Sequence, residues 1–209
     1  YFLLLLPIGP FELVAWRILL SLGFCVILLT VLRGWGRLVA IIRQPRLLMW
    51  TALAAALIYV NWQVFILAAL TGHIIETSLG YFMNPIVTVL LGVVVLRERL
   101  RTTQWVALGL AAIAVGVIVV GYGAFPWIAL SLAFSFGFYG FVQNRTGPSV
   151  DAVSGLTLES AWLVPVAAIL LAVVGSTVGL EMGANGVGHV VLLSLAGVIT
   201  ATPLLLFAA

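Results

Sequence analysis

The chain alternates long apolar blocks with short polar interruptions. The blocks run for about 20 residues, the length an α-helix needs to cross a hydrocarbon core about 30 Å thick. Backbone amides in lipid must find partners within their own segment, so such blocks fold as helices rather than isolated strands. A transmembrane barrel needs short stretches of alternating polarity, and the pattern holds none. Helices are predicted over 14–33, 47–69, 75–96, 103–122, 124–144 and 153–175. Residues 1–7 read as the tail of an earlier helix and 189–209 as most of a later one, with the sequence cut inside an apolar run at both ends. The connections GPFE, RGWGRLVAIIRQPR, TGHI, RERLRT and GYGAF are short, as between antiparallel neighbours.

Composition sharpens this picture to an all-α polytopic membrane protein. Hydrophobic residues make up 64% of the 209 positions and charged residues only 7%, too few to solvate a water-soluble globule of this size. Mean hydropathy is +1.30. There is no lysine, and eight of the nine arginines fall in three alternate loops: Arg33, Arg37, Arg43 and Arg46; Arg97, Arg99 and Arg101; and Arg145. By the positive-inside rule those loops are cytoplasmic. The basic balance therefore reports orientation in a lipid bilayer, not a nucleic-acid partner. Glu12 and Glu181 are expected in loops on the opposite face, and Arg17 is expected as an interfacial anchor at the outer end of 14–33. Trp35, Trp50 and Trp105 fit the inner interface, and Trp16 and Trp127 the outer. YFLLLLP lacks the positive region of a secretory signal. The single Cys25 lies within a span and offers no disulfide framework.

Polar groups at membrane depth are the candidate chemistry. In ETSLGYFMNP, Thr77, Tyr81, Asn84 and, farther on, Thr88 share one helical stripe. Pro85 removes the hydrogen-bond donor for the Tyr81 carbonyl, so this face should look onto a helix bundle or an aqueous cavity. A kinked packing helix fits the same pattern. Asn61 either cross-links helices or, with Trp62, lines a solute path. Glu159 lies about six residues into its span with Trp162 one turn on. An intramembrane carboxyl is by default a functional candidate, although a span edge would leave it in the headgroups. Ser131, Ser135 and Tyr139 form another stripe, and Ala112 with Gly116 a small-residue patch, both suited to packing. Pro165 and Pro203 join Pro85 as candidate kinks or hinges.

Catalysis has little support. His73 and His189 lack metal-ligand neighbours, and there is no GxSxG, HExxH or glycine-rich phosphate loop. No cofactor or metal is expected, and the chain reads as a non-enzyme.

ETSLGYFMNPIVTVLLGVVVLRERLRTTQW resembles the RarD-type branch of the EamA family, in the drug/metabolite transporter superfamily. The likeness extends over nearly the whole chain, through ELVAWR at 12–17, NWQVF at 61–65, LAFSFGFYG at 132–140, LESAWLVPVAA at 158–168 and AGVITATPLL at 196–205. One departure is Arg97, where the family usually has glycine. The resemblance implies ten helices in two inverted five-helix repeats, residues 1–122 belonging to the first and 123–209 to the start of the second. It implies a secondary transporter of the bacterial inner membrane that exports a small organic solute by alternating access. Asn61, Trp62, Tyr81, Asn84, Glu159 and Trp162 would then line the solute path near the midplane, with Glu159 as the candidate proton-coupling site. A channel, or a non-transporting scaffold or receptor, fits the same composition. The solute and the oligomeric state are not legible.

Overall fold

Each apolar block becomes a helix because only the helix satisfies its backbone without water. The computed structural model describes residues 2–95, 97, 100–122 and 125–208. Among them a 3-10 turn at Phe2–Leu5 precedes α1 (Pro10–Val31), α2 (Trp35–Ile42), α3 (Pro45–Leu70), α4 (Ile74–Val95), α5 (Thr102–Tyr122), α6 (Trp127–Thr146), α7 (Ala152–Thr177) and α8 (Gly186–Ala208). The described residues contain no strand. Six of these helices (α1, α3, α4, α5, α7 and α8) are long and apolar enough to cross a membrane. The chain is therefore a multi-pass α-helical membrane protein. Tyr1, Leu96, Glu98, Arg99, Gly123, Ala124 and Ala209 lie outside the described residues, and with them part of the RERLRT turn and some predicted span ends.

Two expectations about the connections are corrected. GPFE is not a loop: α1 starts at Pro10, with Gly9 as N-cap and Glu12 in the first turn. Proline at the first helical position forfeits no hydrogen bond, and a carboxylate there meets the positive end of the helix dipole. RGWGRLVAIIRQPR contains the extra helix α2, whose Leu38 and Ile41 are buried. They pack with Leu29, Val150 and Leu158 into a small core.

The turn from α1 into α2 is a Schellman motif. Gly34 N–H donates to the Leu29 carbonyl at 2.8 Å and Arg33 N–H to the Thr30 carbonyl at 3.1 Å. Arg33 sits at the left-handed position with φ 51°, and Arg97 at φ 55°. The second value gives a physical reason for the glycine expected at Arg97, since that region is nearly free of strain only for glycine. Arg97→Gly is expected to raise stability by about 1 kcal/mol, read as a higher thermal midpoint in detergent.

Packing divides the chain into two compact units, Tyr1–Tyr59 with Val142–Ala209, and Val60–Phe141. In the first, α1 packs against α7 and α8. A Cβ added at Gly197 of α8 would lie 2.6 Å from the Leu20 backbone carbonyl of α1. In the second unit α4 crosses α6, where a Cβ at Gly80 would meet the Ala129 carbonyl oxygen at 3.0 Å and one at Gly137 the Val87 side chain at 2.7 Å. The patch at Ala112 and Gly116 does not make such a crossing here, since a Cβ at Gly116 meets nothing within 4 Å. Gly197→Ala is therefore expected to cost about 1–3 kcal/mol, because the obstacle is backbone and cannot swing aside. Gly116→Ala leaves the thermal midpoint unchanged or higher.

Candidate functional site

In the first unit the site is built on the α6–α7 turn. Asp151 caps α7, its side chain accepting from Ser154 N–H at 3.1 Å. Gly147 and Val150 N–H groups close the turn onto the Gln143 and Thr146 carbonyls. This turn sets the end of α6 beside the start of α7. Gln143 Nε2 then donates to Glu159 Oε1 at 2.8 Å. Glu159 is 2% exposed, so its carboxyl faces protein and not the headgroups. Trp162, one turn on, is 45% exposed, yet its Nε1 donates to Thr51 Oγ1 of α3 at 3.3 Å.

The N-terminal end of α1, in the same unit, holds a second buried carboxylate. Glu12, expected in a loop, is 1% exposed in the first turn of α1. Its Oε1 accepts from Glu181 N–H at 3.0 Å, Met182 N–H at 3.1 Å and Trp16 Nε1 at 3.2 Å, and its Oε2 from Glu181 N–H at 3.1 Å. Arg17 is likewise not an interfacial anchor. It is 6% exposed, and its Nε donates to Thr200 Oγ1 of α8 at 2.9 Å. One turn farther along α1, Ser21 Oγ donates to the Gly197 carbonyl at 3.4 Å. His189, expected near the outer interface, is buried, and its Nε2 lies 2.9 Å from the Leu5 carbonyl, which makes that nitrogen the donor. These polar groups tie the 178–185 connection and α8 to α1 and to the 3-10 turn before it.

In the second unit Asn61 is buried, and its Nδ2 donates to the Leu132 carbonyl at 3.3 Å and to Ser135 Oγ at 3.2 Å. Of the two readings left open for Asn61, the geometry displays the α3–α6 cross-link. Trp62 is buried beside it. Tyr81 packs edge-on against Phe65 with ring centroids 5.8 Å apart and remains 42% exposed. Asn84 Oδ1 is buried without a hydrogen-bond partner, as are both amide atoms of Gln63. Left unpaired, such atoms cost about 1–3 kcal/mol each. Pro85, Pro165 and Pro203 all lie inside continuous helices. A cavity of about 330 Å³ between α4 and α5 is lined by Pro85, Val89, Leu108 and similar apolar groups, with Gln104 as its polar member.

Gln143 and Gln63 escaped the sequence reading. Gln143 belongs to the polar run QNR, which resembles an ordinary helix end, and only the α6–α7 turn reveals its partner. No group of three His, Cys, Asp or Glu side chains among the described residues is placed to hold a metal ion.

The chain is 43% identical over 204 residues to Protein RarD of Streptomyces exfoliatus, covering 98% of this chain and 64% of that protein. It is 41% identical over 209 residues to Protein RarD of Escherichia coli, covering 100% of this chain and 70% of that one. It is 42% identical over 212 residues to the uncharacterized transporter YojE of Bacillus subtilis, again with 70% of the relative covered. The chain thus spans 64% to 70% of the length of these relatives. No family model and no solved structure matches it.

Proposed function

The chain belongs to the RarD family of bacterial membrane transporters, and we propose that it carries a small organic solute outward across the inner membrane by alternating access, with Glu159 taking up and releasing a proton in each cycle. The observation that carries this reading is the burial of Glu159 against an amide. A carboxyl 2% exposed within an apolar span is costly when ionised and persists where it has work to do. The Gln143 amide donates to Glu159 Oε1 at 2.8 Å, a neutral partner that holds the side chain in place.

Trp62, Tyr81 and Asn84 are proposed as solute contacts. Asn84 brings a hydrogen-bond acceptor with nothing bound to it, and Tyr81 and Trp62 bring aromatic faces. Asn61, engaged with Leu132 and Ser135, is assigned the task of holding α3 against α6. Trp162, bonded to Thr51, and the prolines 85, 165 and 203 are assigned to the moving helices, and the ten-helix inverted-repeat architecture supplies the frame. A thermal-shift screen of the full-length protein across amino acids, nucleosides and drugs identifies the solute. Reconstituted flux of that solute is expected to saturate and to show counterflow. Unsaturable conduction marks a channel, and no stabilisation by any compound marks a scaffold.

A further inference from the structure

α2 carries exposed apolar side chains beside exposed arginines. Its Leu38 and Ile41 face the protein core, while Trp35, Val39 and Ile42 are exposed. At 100° per residue these three fall on one side of the helix, and Arg37 falls on the side opposite. Trp35 is 45% exposed, and its Nε1 donates to Thr30 Oγ1 at 3.3 Å. Arg33 precedes the helix in the left-handed Schellman position, and Arg43 and Arg46 follow it. All four arginines are exposed. Between Glu12 and Glu76 the sequence has no carboxylate at all. An apolar side, a basic side and arginine at both ends are the features of a helix lying in a membrane interface.

We propose that α2 and its flanking arginines form a docking surface for anionic phospholipid headgroups of the cytoplasmic leaflet. Trp35, Val39 and Ile42 enter the acyl boundary, and the guanidinium groups of Arg33, Arg37, Arg43 and Arg46 bind headgroup phosphates by paired N–H donors. Topology alone requires positive charge on this side. It does not require a folded amphipathic helix with an exposed tryptophan. The assignment stands or falls separately from the transport mechanism.

Native mass spectrometry of the full-length protein, titrated with phosphatidylglycerol or phosphatidylcholine, tests it. The wild type is expected to retain phosphatidylglycerol preferentially, and the preference is expected to shrink as salt rises. Replacing all four arginines by glutamine is expected to reduce the preference on the order of tenfold or more, and replacing them by lysine to keep most of it. Glycerol phosphate, which offers the same phosphate without acyl chains, is expected not to displace the lipid. A preference that ignores salt in the wild type, survives the glutamine variant, or is competed away by glycerol phosphate overturns the assignment. The salt titration decides the matter even where the fourfold glutamine variant fails to insert.

Discussion

Glu159→Gln is expected to abolish solute movement against its gradient while leaving a folded, membrane-inserted protein. Glutamine has nearly the volume of glutamate and keeps an oxygen that accepts from Gln143 Nε2, now 2.8 Å from the carboxylate. A hydrogen bond to a charged acceptor exchanges for a neutral one, so the stability change is about 1 kcal/mol in either direction. What disappears is the proton. With the proposed coupling carboxyl gone, a pH gradient loses its hold on the cycle, and uphill flux is expected to fall at least tenfold or so, given that the coupling step is obligatory. Downhill exchange of solute for solute needs no proton and is expected to persist. Flux assays in proteoliposomes, with and without an imposed pH gradient, separate the two.

The largest expected effect on stability lies at the other buried carboxylate. Glu12→Ala strands the Glu181 and Met182 amides and the Trp16 indole N–H, all within 3.2 Å of Glu12 in the native protein. Hydrogen bonds to charged acceptors are worth about 1.5–3 kcal/mol each, but they share one group and do not add fully. A loss of about 3–5 kcal/mol is expected, read from thermal unfolding, together with faster proteolysis in the 178–185 connection that Glu12 holds. Glu12→Gln keeps one acceptor oxygen and is expected to cost about 1–2 kcal/mol. Equal stability of the alanine variant and the wild type would show that the loop is held by other contacts.

The long helices were legible because 20-residue apolar runs have one stable backbone solution in lipid. α2 was not, because glycines and arginines around eight residues read as a connection. Its helix depends on the burial of Leu38 and Ile41 against Val150 and Leu158, partners more than a hundred residues away in the sequence. The start of α1 was within reach: proline at the first position and glutamate in the first turn are a helix-start signature. Among small residues, the pattern at Ala112 and Gly116 suited a crossing, yet the close approaches are made at Gly80, Gly137 and Gly197. Spacing shows where helices can approach, and only tertiary packing selects where they do. Glu159 stood out from its depth alone, whereas Gln143 acquires meaning only from the turn that brings it within 2.8 Å.

The most direct test of proton coupling at Glu159 is solute-driven proton movement in proteoliposomes containing this protein alone, followed with a trapped pH-sensitive dye. The account predicts a pH change on solute addition with the wild type, and none with Glu159→Gln under conditions where that variant still exchanges solute. A variant that moves protons as fast as the wild type contradicts it.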